Sequence, residues 1–447
     1  MPGFPITMAN PVEHAGPLPS EADVVIIGGG VIGVSTAYFL AKKGLRPVLV
    51  EKGRVAGEQS SRNWGWIRQQ GRDLAELPIM IEANRLWKDI DADLGEDIGL
   101  TSCGLTYFAE SAAEMERYET WVRDAAPTGV DSRVLSVAEL DQMIPGMKHR
   151  YFGALHTPSD MKAEPWLAVP AMARAAVRHG AVIVENCAAR VLERVGGRVS
   201  GVVTEKGPIK APEVVVAGGA WSSLFLRNEG VKIPQLSVKA TVAATNSLPE
   251  LHSGGGVDLK LAFRRRSDGG YTLAAAGFHE MFIGWDAFRH LFHYLPQLRR
   301  DFAGRTYLPK APAGYPDGWT TARHWGAGAE TPFERMRMLD PAPNQRKVED
   351  IRRRFMALLP DIGEVEIVAS WAGMIDSMPD IVPVVDRAPI PGLSICTGMC
   401  GHGFGIGPGF GRIMADLVSG GDVGHDLGRF RFNRFTDGSK LDLGPDL

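Results

Sequence analysis

Gly28, Gly30 and Gly33 stand in the spacing G-x-G-x-x-G at the end of the apolar, β-branched run Asp23–Ile27. Such a run predicts a buried parallel strand. Each glycine has a physical task. Gly28 permits a tight turn, Gly30 admits a pyrophosphate close to the backbone, and Gly33 lets helix and strand pack. Val34, Ala37, Tyr38 and Ala41 then recur at helical spacing, and Lys42-Lys43-Gly44 closes the helix at its negative end. The N-terminus of that helix, at Val31 and Ile32, offers N–H groups and positive dipole to phosphates. Pro47–Val50 reads as a second strand. It ends at Glu51 and Lys52, with Glu51 23 positions after Gly28, suited to ribose hydroxyls. An acid at this place favours an unphosphorylated ribose, so NAD or FAD.

Three further segments bear on the ligand. Gly57–Asn63, with Ser60, Ser61, Arg62 and Asn63, is a polar loop of the kind that wraps a flavin ribityl and pyrophosphate. Glu213–Val216 is another strand, running into Gly218, Gly219 and Trp221. Gly398–Gly409 is a glycine-dense loop leading into a helix from about Phe410 to Val418. Such a loop places N–H groups beside developing negative charge, which on a reduced flavin is the N1–C2=O edge.

The elements that position these loops follow from composition and period. The 447 residues are 45% hydrophobic and 23% charged, with a net charge of -3, which excludes disorder and argues against nucleic acid as a partner. Four cysteines are too few for a disulfide scaffold and point to a reducing compartment. Residues 1–20 hold no apolar run of signal-peptide length and read as a flexible arm. Val24–Ala41 lacks charge over 18 residues. A bilayer span needs about twenty, and this stretch breaks at Gly28–Gly30, so a soluble cytoplasmic protein is expected. Ala163–Arg178 reads as a helix starting at Pro165. Val182–Glu185, Ala189–Arg194 and Val199–Lys206 alternate like strands, with Gly196-Gly197 as a hairpin turn. Leu261–Arg265 and Tyr271–Ala276 form another pair. Between about 280 and 335, Trp285, Phe288, Leu291, Phe292, Leu295 and Leu298 fall on one helical stripe. It reads first as a helix packed on its own domain, second as a surface helix touching a membrane or an electron acceptor. The C-x3-C of Cys396 and Cys400 does not suit zinc, and no metal is expected.

The pattern V-V-I-I-G-G-G-V-I-G, E-K, G-E-Q-S-S-R, V-V-A-G-G-A-W-S and G-H-G-F-x-x-G-P resembles the D-amino acid oxidase superfamily of flavoproteins, from about Ala22 to Arg429. Ala56–Ser60, Glu185–Ala188 and Thr331–Glu334 are most similar to bacterial membrane-associated L-amino acid deaminases. The resemblance implies an α/β protein with a Rossmann-like FAD-binding domain and an interleaved α+β substrate domain on an antiparallel sheet. The FAD domain would comprise 21–76, 165–230 and 362–430. The substrate domain would comprise 77–164 and 231–361, with an insertion at about 280–335 and a tail at 431–447. FAD would have its adenosine end at Gly28–Gly33, Glu51 and Ala189. Its isoalloxazine would lie between Ser60–Arg68, including Trp64 and Gly65, and Gly401–Gly407, that is Gly401, His402, Gly403, Phe404, Gly405, Ile406 and Gly407. With no cysteine near Trp371–Ile375, the FAD is expected to be noncovalent.

The family's chemistry places a neutral amine over the flavin with its carboxylate anchored. Ile375 stands where glycine and D-amino acid oxidases carry the anchoring Arg. Arg68 matches an anchor of sarcosine oxidase, although Gly405 replaces that enzyme's Lys, and Phe263-Arg264 matches the H-F-R of the deaminases. Arg68 and Arg264 are therefore the candidate anchors, with Gln69, Gln70 and Arg72 as helpers. His279, in Gly277-Phe278-His279, is a candidate to orient the amine, and Tyr271 a weaker one. Ala275 replaces an oxygen-activating Lys. The expected activity is oxidation of the C–N bond of a small anionic amine, a secondary amine such as iminodiacetate or a sarcosine-like N-substituted glycine. Oxygen or a quinone of a respiratory chain would accept the electrons, with peripheral contact at the inner membrane. An L-amino acid deaminase is the alternative, and a flavin-binding assembly subunit without turnover is a third class.

Overall fold

The computed structural model describes residues 4–300 and 305–445. Residues 1–3 of the arm, 301–304 of the insertion and 446–447 of the tail lie outside them. One sheet has the strand order Val384–Arg387, Leu393–Thr397, Glu213–Val216, Val24–Ile27, Pro47–Val50, Val182–Val184. Its strands run parallel except at the Val384–Arg387 edge. The central strands Val24–Ile27 and Pro47–Val50 are apolar throughout because both faces are covered. Val24, Ile26 and Leu49 enter a core shared with helices Val31–Lys42, Leu77–Leu94, Pro165–Arg178 and Gly403–Ser419. Val25, Val48 and Val50 point the other way, toward the antiparallel strands Ala189–Val195, Arg198–Thr204 and Gly207–Lys210. The hairpin glycines Gly196 and Gly197 adopt φ of +59° and +81°, as a tight turn requires.

The second, mainly antiparallel sheet has the order Arg305–Leu308, His279–Phe282, Leu236–Thr245, Tyr271–Ala274, Ala262–Arg265, Gly255–Val257, Leu105–Ala109, Gly153–Thr157, Arg133–Leu135. Ile367–Ser377 pairs along the whole of Leu236–Thr245. The mixed α/β class expected from the sequence is thus the observed one. Two segments cross the expected boundaries. Ile367–Ser377 joins the second sheet, and helix Leu77–Leu94 sends Ile79, Met80, Ala83 and Trp87 into the core of the first.

Three other expectations are corrected. Residues 4–20 are not loose. Ile6 N–H donates to Ser61 Oγ and Arg54 Nε to Asn10 O, while Glu185 Oε2 accepts from the N–H groups of Glu13 and His14. The buried Arg54 and Glu185 need partners, and the arm's backbone supplies them. The C-terminal helix begins at Gly403, not near Phe410. Gly407 and Gly411 are there for contact, since a Cβ on Gly407 would lie 2.7 Å from Val31 Cγ2 and one on Gly411 would meet Ser35. Finally, the aromatic stripe does not pack inward. Helices Trp285–Arg289 and Leu291–Arg300 leave Trp285, Phe288, Leu291 and Phe292 exposed, Phe292 by 81%. Their inward residues include Asp286, paired with Arg227 at 2.7 Å, Tyr294, whose hydroxyl donates to Ser377 O at 2.6 Å, and Leu298 of the stripe, packed beside Tyr294. No helix among the described residues is long and apolar enough to cross a membrane.

Candidate active site

The glycine turn is built as its spacing requires. Gly28 adopts φ +114°, and a Cβ there would lie 2.5 Å from Ala217 O. Gly30 begins helix Val31–Lys42 with extended backbone and no side-chain cap, leaving the helix end for an anion. Ser60 Oγ accepts from Val31 N–H at 2.9 Å, which ties the polar loop to the helix. Glu51 accepts from Gly29 N–H and Gly53 N–H, each at 2.7 Å. Burial raises its carboxyl above the ordinary value, while Lys52 and these donors pull it down. Lys52 and Trp221 Nε1 both meet Glu58, at 2.6 and 3.0 Å.

A cavity of about 810 Å³ runs from this turn, at the ends of strands Val24–Ile27, Pro47–Val50 and Glu213–Val216, to the inner strands Leu236–Thr245, Gly255–Val257 and Leu105–Ala109 of the second sheet. It is lined by Gly28, Gly30, Val31, Ile32, Glu51, Lys52, Ser60, Arg62, Asn63, Trp64, Ala189, Gly218, Gly219 and Trp221 at one end and by Gly401, His402, Gly403 and Phe404 farther on. Ligand clefts span roughly 300–1,000 Å³, so there is room for a dinucleotide and a small second ligand. The glycine cradle, the uncapped helix end and the paired acid all fit FAD. Six predicted contacts lie behind the lining. Gly33 packs on Gly28, Ser61 holds Ile6, Gly65 backs onto Ala163, and Gly405, Ile406 and Gly407 pack inside the C-terminal helix.

Of the four candidates for substrate, two reach the cavity. Arg68 and His279 line it, together with Arg72, Tyr107, Phe108, Val257, Leu259 and Ala276. Arg68 lies over the Tyr107 ring and donates to Gln70 O at 2.6 Å. Arg72 is 3% exposed and donates through Nε to Arg68 O, while its Nη1 is buried with no hydrogen-bond partner. Burial, and then Arg68, lower this guanidinium to about 10, still cationic at neutral pH.

Arg264 is a correction. Its Nη1 and Nη2 donate to the Glu164 carboxylate at 3.0 and 2.8 Å, and its Nε donates to Trp64 O. All three sides of the guanidinium face protein, and it does not line the cavity. Tyr271 is a second correction, because its buried hydroxyl donates to Pro249 O at 3.2 Å. Two acids passed over in the sequence shape the site instead. Asp160 accepts from Gln69 N–H at 2.7 Å and fixes the loop bearing Arg68 and Arg72. Asp376 accepts from Gly398 N–H at 2.8 Å and fixes the loop before Gly401. The signal for Asp376 was an acid inside an apolar strand, and Asp160 had none.

Fold and cavity together define an FAD-dependent oxidoreductase. Residues 23–417 match the family described as DAO, FAD dependent oxidoreductase, and the chain belongs to it. FAD is its cofactor. The human mitochondrial sarcosine dehydrogenase is 30% identical over 281 residues, which are 60% of this chain but only 30% of that enzyme. Sarcosine oxidase subunit beta of Rhizobium meliloti is 25% identical over 94% of this chain and 90% of its own. Among solved structures, the L-amino acid deaminase of Proteus myxofaciens superposes with a TM-score of 0.90 at 28% identity, over 95% of this chain and 96% of its own.

Proposed function

We propose that the protein oxidises the C–N bond of a small amine with one carboxylate, a sarcosine-like N-substituted glycine, to an imine that hydrolyses to an oxo acid and an amine. The observation that carries this reading is the pair Arg68 and Arg72, two cations at one cavity whose neighbouring lining, Phe108, Val257, Leu259 and Ala276, is apolar. A carboxylate beside Arg68 and Arg72 neutralises their charge, and a guanidinium–carboxylate contact fixes the amine's pose. FAD, held noncovalently along Gly28–Gly33, Glu51 and Gly401–Phe404, supplies the electron acceptor. His279, which borders the same space, orients the amine in this reading. A diacid such as iminodiacetate cannot use Arg264, which is held by Glu164, and would have to divide its carboxylates between Arg68 and Arg72. The similarity to sarcosine oxidase subunit beta along nearly the whole chain agrees with the N-substituted glycine.

A second reading is an L-amino acid deaminase that passes electrons to a membrane quinone. The exposed Trp285, Phe288, Leu291 and Phe292, on the same helices as Arg289, Arg299 and Arg300, favour it, as does the likeness to the Proteus enzyme. The test is a panel of sarcosine, iminodiacetate and apolar L-amino acids scored by anaerobic flavin bleaching, then repeated in air with peroxide detection. Sarcosine is expected to bleach fastest. Faster bleaching by iminodiacetate overturns the single-carboxylate site, and faster bleaching by apolar L-amino acids transfers the function to the second reading.

A further inference from the structure

Beneath the two arginines lies a buried acid that the reading above leaves unused. Glu76 is 2% exposed and sits at the N-cap of helix Leu77–Leu94. His402 occupies the N-cap of helix Gly403–Ser419, and both helices contribute to one core. Two helix N-termini therefore meet near one carboxylate, an arrangement that favours its charged form. Arg72 Nη1 lies 3.8 Å from Glu76 Oε2, and His402 Nδ1 lies 4.0 Å from the same oxygen. Both distances exceed a hydrogen bond, and both nitrogens are buried without a hydrogen-bond partner. Arg72 and His402 also line the cavity, so Glu76 is one side chain away from whatever occupies it.

We propose that Glu76 is the proton-holding residue of this site, taking up one proton when a carboxylate binds at Arg72. The proposal rests on the carboxylate-at-Arg72 reading. With the cavity empty, Arg72 draws Glu76 as its counter-ion. An arriving carboxylate takes over that role and adds a second anion beside Glu76, so the more buried of the two gains affinity for a proton. A zwitterionic amine carries the proton that must be lost before its C–N bond is oxidised. That proton leaves the amine nitrogen, whose lone pair stays behind. The His402 imidazole accepts it at one ring nitrogen and releases its own from Nδ1 to Glu76 Oε2. Contacts of about 4 Å are within the range that catalytic hydrogen bonds close when ligand binds. Burial raises the Glu76 carboxyl to about 7, with Asp73 adding to the shift and Arg72, Arg68 and Arg429 opposing it. Burial first, then Arg72 and Arg68, hold His402 well below its ordinary value, so it passes a proton on without keeping it.

The test uses the FAD-loaded protein and methoxyacetate, which has sarcosine's carboxylate but no amine proton to give. Calorimetry at pH 8 in buffers of different ionisation enthalpy counts the protons. Uptake approaching one proton per ligand in the wild type, abolished in Glu76→Gln, is the expected result. Binding without uptake, or uptake unchanged in Glu76→Gln, overturns the role of Glu76 and leaves the carboxylate reading standing. No binding of methoxyacetate at all overturns the carboxylate reading and this inference with it. If Glu76→Gln does not fold, the wild-type Kd decides. It is expected to weaken by up to about tenfold per pH unit above about 7, and a Kd independent of pH there overturns the proposal.

Discussion

Arg264 and Glu164 form a two-point ion pair, 1% and 2% exposed, outside the cavity lining, with Arg264 Nε donating to the carbonyl of the lining residue Trp64. Burial raises the Glu164 carboxyl, but Arg264 and its hydrogen bonds more than offset this, and the net position is below the ordinary value. A depressed acid contributes stability that is present above its unfolded pKa and lost as pH falls through the folded one. Removing one partner of such a pair costs about 3–5 kcal/mol, because the other is left buried and unpaired. Arg264→Met is therefore expected to lower Tm strongly at pH 7 and less at pH 3–4, in thermal scans of both proteins. Any folded fraction should keep the wild-type KM. An unchanged Tm with a raised KM returns Arg264 to the substrate.

Arg72→Met and Arg68→Met are expected to act in the opposite way. Losing a buried charge that pairs with ligand costs about 2–5 kcal/mol. That is a fall in kcat/KM of roughly thirtyfold to a few thousandfold, carried mainly by KM. Steady-state kinetics on sarcosine measure it. Tm should move little for Arg68, which is hydrogen-bonded only within its own loop among the contacts seen.

Gly411→Ala places a methyl against the Ser35 side chain and the backbone of Ser35 and Thr36, none of which can yield cheaply. Overpacking of this sort costs about 1–3 kcal/mol. Because Ser35 and Val31 share the helix whose N-terminus faces the dinucleotide, the variant should bind FAD more weakly as well as melt earlier. Flavin fluorescence on dilution reads the first effect, and a wild-type Kd for FAD contradicts it.

How much of this was legible beforehand depended on the range of the signal. Strands Val24–Ile27, Pro47–Val50 and Glu213–Val216 announce themselves through local apolar runs, and the Gly28 turn through spacing alone. Arg264 misled because the local match Phe263-Arg264 says nothing of Glu164, 100 positions earlier in the chain. Gly405, Gly407 and Gly409 look like a loop in sequence, yet each marks a close approach of the C-terminal helix, to strand Trp66–Ile67, to Val31 and to Ile79, and closeness is a tertiary property. Trp285, Phe288, Leu291 and Phe292 of the stripe turned outward while Leu298 packed beside Tyr294, because buried Asp286 and Tyr294 set the rotation of the two short helices. Glu76 carried no signal at all, since only packing brings two helix N-termini to it.

Glu51→Ala should weaken FAD by about 1–3 kcal/mol, the value of hydrogen bonds to a charged acceptor. Acid precipitation of the wild type should release all flavin as FAD, because the cavity-lining Cys396 and Cys400 are thiols that burial holds above their ordinary pKa, which keeps them poor nucleophiles. Flavin retained in the pellet contradicts the noncovalent site.

Anaerobic reduction of the FAD-loaded protein by sarcosine, compared with dimethylamine, which lacks only the carboxylate, tests the central claim most directly. Rapid bleaching by sarcosine, at least about a hundredfold faster than by dimethylamine at equal concentration, is expected if the lost carboxylate contact is worth about 3 kcal/mol or more. In Arg68→Met the preference should largely disappear. Equal bleaching by the two amines, or a preference that survives in Arg68→Met and Arg72→Met alike, contradicts a carboxylate anchored by these arginines.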